Sequence, residues 1–153
     1  MKTSSFDISN ASRHFAADCF NRTWALLDKS GRTSAEDEAM VSLAHASLAH
    51  WRDREDCTPS NLSVGYWLAS RVYATLGRAS EAKHYGELSL AHAAGGPPFY
   101  VAYAHEALAR AAVAAGDKSR AETHRLIAAR LAGDITDANE RAMLEGDLRE
   151  IAC

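Results

Sequence analysis

Proline is scarce in this chain, with three in 153 residues, and cysteine is equally scarce at three. So little proline leaves long segments free to run as helix. Cys19, Cys57 and Cys153 are an odd set without the paired spacing of a metal site or a disulfide framework. They are expected to be reduced thiols in a cytoplasmic chain. Basic residues are not in excess either. The formal net charge is −3, which argues against nucleic acid, because phosphate contacts need a concentrated positive surface. No apolar run approaches membrane-spanning length, and the start of the chain carries one lysine and no signal-like apolar segment. What is present is ordinary for a globular protein: 47% hydrophobic and 24% charged residues, enough for one domain over residues 1–153 with its own core.

Helical spacing then organises the chain. Residues 1–9 are polar and expected to fray. A helix over about 10–29 would bury a broad face of Phe15, Cys19, Phe20, Trp24 and Leu27 and end at Gly31. Thr33 and Ser34, followed by Glu36 and Asp37, cap a second helix to about residue 51, with Met40, Leu43, Ser47 and His50 at helical spacing. The alternating charges of residues 52–60 and Pro59 mark a solvated loop. Further helices follow over about 61–76, 79–94, 99–115 and 119–132, the last capped by Ser119 with Glu122. A seventh, over about 136–151, carries Leu144, Leu148 and Ile151 on one face.

The turns between paired helices repeat. Gly31-Arg-Thr-Ser34, Gly77-Arg-Ala-Ser80 and Gly116-Asp-Lys-Ser119 each sit between two helices, 46 and then 39 residues apart, and Ala82 and Ala121 share an offset from their glycines. With Tyr66, Ala69, Tyr73, Gly77, Ala82, Tyr85 and Pro97-Pro98, the stretch 66–98 resembles the tetratricopeptide repeat, a helical hairpin of about 34 residues that stacks on its neighbours. The first hairpin fits poorly, since Trp24 and Gly31 match the pattern but no alanine corresponds to Ala82. Residues 61–116 also resemble small bacterial TPR-like proteins, through Trp67-Leu-Ala-Ser70-Arg71-Val72-Tyr73 and Ala102-Tyr103-Ala104-His105-Glu106-Ala107-Leu108-Ala109-Arg110. The resemblance implies an all-α right-handed superhelix of about seven helices: hairpins over about 10–52, 61–94 and 99–132, and a C-terminal cap over about 136–151. The core is then expected to include Tyr66, Ala69, Tyr73, Ala82, Leu108, Ala112, Ala121 and Ala128.

In such stacks the first helix of each hairpin lines a concave surface. Six residues before the turn glycines stand Arg71 and Arg110, ten before stand Trp67 and Glu106, and thirteen before stand Val64 and Tyr103. Trp67, Arg71, Tyr103, Glu106 and Arg110 are therefore the candidate binding residues. Two guanidinium groups beside aromatics suit a carboxylate or phosphate through bidentate hydrogen bonds and stacking. In the competing arrangement Glu106 pairs Arg110 at i,i+4 and holds Arg71 across the hairpins, making the cluster structural.

The seven histidines do not form a metal pattern. His45 and His50 lie about 140° apart around one helix, no second pair stands near Glu81 and His84, and His92, His105 and His124 fall on different helices. His105 reads as a hydrogen-bonded core histidine. Cys57 stands near Asp53, Glu55 and Asp56, whose charge opposes a reactive thiolate. Ser70 lies inside a helix with no strained turn, and Gly95-Gly96-Pro97-Pro98 lacks the lysine of a phosphate loop. No catalytic constellation, metal or cofactor is expected. The expected function is a protein-interaction module that takes a partner peptide or chain terminus in the groove. The alternative is a binder, or enzyme, for a small anionic metabolite around Trp67, Arg71, Glu106 and Arg110. A homodimer through the Phe15, Phe20 and Trp24 end is a further expectation.

Overall fold

The computed structural model describes residues 6–151. Among these the protein is all-α, with seven helices: α1 (Ile8–Leu27), α2 (Ser34–Arg52), α3 (Pro59–Thr75), α4 (Ala79–Ala93), α5 (Pro98–Ala114), α6 (Lys118–Ala132) and α7 (Ala138–Arg149). No helix among the described residues is long and apolar enough to cross a membrane. The chain divides into two compact units, Met1–Cys57 and Thr58–Cys153. Cys153 lies outside the described residues, as do residues 1–5 of the segment expected to fray.

The first unit is the α1–α2 hairpin. Asp7 accepts from the Asn10 amide and starts α1, so Ile8 and Ser9 are helical where fraying was expected. The face that α1 buries is also not the aromatic one. It is Ser12, Ala16, Cys19 and Thr23, with Phe15 left 43% exposed against the His50 ring. Small residues win because the two helices cross closely, as shown by the Ser47 hydroxyl donating to the Ala16 carbonyl at 2.8 Å. Opposite them α2 buries Met40, Ala44, Ser47 and Leu48. The turn is held by Arg32, whose guanidinium donates to the Leu26 and Lys29 carbonyls and pairs with Asp37. Thr33 and Glu36 form the expected capping box. Cys19 and Cys57 keep thiols whose pKa values are raised, chiefly by burial.

In the second unit Thr58 and Asn61 cap α3 reciprocally, with Pro59 in the first turn. The helices α3 and α4 approach through hydroxyls and small side chains. Ser63 donates to the Ser89 carbonyl at 3.0 Å and Ser89 returns a bond to the Ser63 carbonyl at 2.9 Å. Ser70 donates to the Ala82 carbonyl at 2.7 Å. A Cβ on Gly86 would stand 2.8 Å from the Leu108 side chain, so α5 packs directly on α4 backbone.

Two turns of this unit are built alike. Gly77 and Gly116 have φ of +72° and +74°, and in each the glycine amide and the next amide reach back to the end of the preceding helix. Gly77 bonds Ala74 and Arg78 bonds Tyr73; Gly116 bonds Val113 and Asp117 bonds Ala112. This is the Schellman termination, in which a left-handed residue satisfies carbonyls that the helix leaves open. Gly31 is also left-handed, but α1 ends at Leu27, so the first hairpin closes differently.

The central helix is α5, which packs on α3, α4, α6 and α7. All eight expected core residues are buried, and Ala69, Ala82, Ala121 and Ala128 are wholly so. The seventh helix, expected over about 136–151, is shorter because Asp137 caps it, and Arg141 donates back to the Ile135 carbonyl. Its Leu144, Leu148 and the following Ile151 join Tyr103, Ala109, Ala128 and Ile135 in one apolar cluster. The expected Ser119 cap on α6 is replaced by Asp117, whose carboxylate accepts from the Arg120 amide, and Glu122 instead pairs with Arg125.

Replacing Ala82 or Ala121 with leucine is expected to overpack these crossings and lower stability by about 1–3 kcal/mol. The check is a urea denaturation midpoint, with the exposed Ala91→Leu change as the control that should leave it in place.

Candidate functional site

All five candidate residues meet on the side of α5 that faces α3 and α7. The reason is positional: residues at one offset from equivalent turns lie at equivalent places on neighbouring helices. Trp67 and Arg71 are one turn apart on α3, and Tyr103, Glu106 and Arg110 follow at spacings of three and four on α5. Glu106 is the centre, with 0% of its surface exposed. Its Oε2 accepts from the Trp67 indole N–H at 2.8 Å, and its Oε1 accepts from Arg71 at 3.2 Å and from Arg110. The Trp67 and Tyr103 rings meet edge to face, 5.4 Å between centroids.

The helix α7 completes the cluster, which helical spacing alone does not show. Tyr103 donates its phenol to the Asp147 carboxylate at 2.6 Å, and Arg110 donates to the Asp147 carbonyl at 3.2 Å. Glu150, itself exposed, stands 3.7 Å from Arg110. Asp147 lies three residues after Leu144 and one before Leu148, so it flanks the apolar face that docks α7. A carboxylate at the margin of a buried face was the available signal.

Electrostatics follow from this enclosure. The two guanidinium groups are met by the carboxylates of Glu106 and Asp147, with Glu150 at the rim. The Arg71 pKa is lowered by burial first and by the Arg110 charge second, against the pull of Glu106; the group stays cationic because an arginine starts so high. The Tyr103 phenol is pushed far up, by burial and then by its bond to Asp147. The cluster thus takes the arrangement in which Glu106 pairs both arginines, and it joins α3, α5 and α7. One side of it remains open: Arg110 borders a recess of about 230 Å³ walled by Ala74, Thr75, Val113, Ala114 and Ile151, with Glu150 at the rim.

A second polar contact lies elsewhere on α5. His105 and His124, on α5 and α6, bring their Nδ1 atoms to 3.0 Å, so one imidazole donates its N–H to the lone pair of the other. Both are half-buried. Their pKa values are lowered, by burial first, with His124 opposing His105 and Arg120 opposing His124. Burial lowers His45 as well. Among the described residues no group of three or more His, Cys, Asp or Glu is placed to hold a metal ion.

These three histidines give a pH dependence whose sign is determined. In the unfolded chain each titrates near about 6.5, and in the folded chain each titrates lower. Between those values the unfolded state binds more protons, so stability is full above about pH 6.5 and falls as pH drops through the window below it. Denaturation midpoints at a series of pH values should show this fall, and His124→Gln should reduce its slope.

Comparison with known protein families, with curated proteins and with solved structures found no match for this chain.

Proposed function

We propose that this chain is a TPR-like protein-interaction module whose second unit takes the terminus of a partner chain at the Arg110 recess. The observation that carries the reading is the one incomplete arm of an otherwise closed cluster. Arg110 is bound tightly by Glu106 and by the Asp147 carbonyl, but its contact with Glu150 is long and lies at the exposed rim. An incoming carboxylate can displace Glu150 there without uncovering Glu106. Salt bridges at exposed positions contribute only about 0–1 kcal/mol, so the exchange costs little.

The recess suits one terminal residue. Its walls are Val113, Ala114, Ala74 and Ile151, which would receive an apolar side chain, while Arg110 receives the terminal carboxylate. The matched turns at Gly77 and Gly116 and the packing of α5 on both α3 and α4 support the stacked-hairpin reading. In this reading Trp67, Arg71, Tyr103 and Glu106 hold Arg110 in place and do not themselves touch the ligand.

The test is a fluorescence-polarisation screen of the full chain against peptides ending in an apolar residue. Peptides with a free carboxylate should bind, and C-terminal amidation should weaken them about tenfold or more, the scale of a lost charged hydrogen bond. Ala114→Trp, which fills the recess without touching Glu106, should abolish binding. Equal binding of amidated peptides, or an Ala114→Trp variant that binds as the parent does, would contradict the proposal.

A further inference from the structure

On a different side of α5, α4 and α6 flank an open groove of about 520 Å³ whose floor includes Leu108 and Ala112 and whose wall includes His124. Sequence spacing keeps His105 and His124 on separate helices, but the α5–α6 hairpin folds them onto each other. We propose that His105 and His124 form a binding site for a borderline divalent cation of the zinc, copper or nickel type, reached on the His124 side, since His124 and not His105 lines this groove.

The first support is distance. With metal–nitrogen bonds of about 2.0–2.1 Å, adjacent corners of a square plane stand about 2.9 Å apart and those of a tetrahedron about 3.3 Å. The two Nδ1 atoms, at 3.0 Å, lie between these values. The hydrogen bond points the two Nδ1 atoms at each other, so each ring must turn by about 35–45° to aim its lone pair at one ion.

The second support is protonation. In the neutral pair one ring carries its proton on Nδ1 and the other on Nε2. Binding needs only that the first ring move its proton to Nε2 by exchange with water, which leaves both Nδ1 lone pairs on the ion and releases no net proton.

The nearby cations each have a carboxylate partner, and Arg120 is the one whose charge opposes a cation at His124. On the groove walls Lys83 and Glu87 pair at 3.6 Å on α4, and Arg120 and Asp117 pair at 3.6 Å on α6. The local cations and carboxylates are thus balanced. Two imidazoles favour Zn²⁺, Cu²⁺ or Ni²⁺ over Ca²⁺ and Mg²⁺, which take oxygen ligands. Water from the groove would fill the remaining positions, leaving the ion open to exchange or to a further ligand.

The test is titration of the full chain with ZnCl₂ and with CuSO₄ at pH 7.5. One equivalent should bind with micromolar or tighter affinity, and His105→Gln and His124→Gln should each weaken it about tenfold or more. His84→Gln, on the exposed face of α4, should bind as the parent does. If either variant loses helicity by circular dichroism, the copper EPR spectrum of the parent chain decides: coupling to two imidazole nitrogens is expected. No saturable binding below the millimolar range would overturn the proposal. So would unchanged affinity in both folded variants, equal loss in His84→Gln, or coupling to a single nitrogen.

Discussion

The second unit depends on one buried carboxylate. Glu106 is removed from water on all sides and accepts from Trp67, Arg71 and Arg110. Burying an anion is costly unless its charge is met and its oxygens are bonded, and here both conditions hold through side chains from two helices. The cost is what makes the arrangement specific. A shift of α3 along α5 by one turn would misalign Trp67 and Arg71 with the carboxylate and leave it to Arg110 of its own helix. The guanidinium groups are constrained in turn, since Arg110 also bonds the backbone of α7 and Tyr103 bonds Asp147. Apolar anchoring by Leu144, Leu148 and Ile151 holds that helix in place, so the cluster and the apolar core stabilise the same geometry.

Such a cluster needs helices that approach closely and stay in register. Gly86, Ala82 and the serine pairs provide the approach between α3, α4 and α5. The glycines at 77 and 116 provide the register, because each ends its helix at a fixed residue and starts the next at a fixed direction. Equivalent turns place equivalent residues side by side. That is why Arg71 and Arg110 reach one carboxylate from different hairpins.

Much of this was legible in the sequence, for a physical reason in each instance. Glycine just after a helical run has few alternatives to a left-handed cap, so the turns at Gly77 and Gly116 could be read directly. A shared offset from those turns brought Trp67, Arg71, Tyr103, Glu106 and Arg110 together without a structure. The misreadings have a common cause. Phe15 was assigned to a buried face because it is large, but the close crossing of α1 and α2 selects Ser12, Ala16 and Thr23. Asp147 is charged and stands outside the apolar periodicity, although its position flanks a docked face. His105 and His124 were kept apart because one-dimensional spacing cannot report which helices fold together. Local periodicity identifies helices well; side-chain size and charge are poorer guides to which face is buried.

The claim that Glu106 is the keystone is tested most directly by a double-mutant cycle between Glu106 and Arg71, read by chemical denaturation. Glu106→Ala, Arg71→Ala and the double variant are compared with the parent chain. Removing the carboxylate alone leaves two mostly covered guanidinium groups without it and is expected to cost about 3–5 kcal/mol. The cycle should return a coupling of about 1–3 kcal/mol, the range for residues that share one network. Additive losses, with a coupling below about 0.5 kcal/mol, would contradict the account and reduce Glu106 to one polar contact among many.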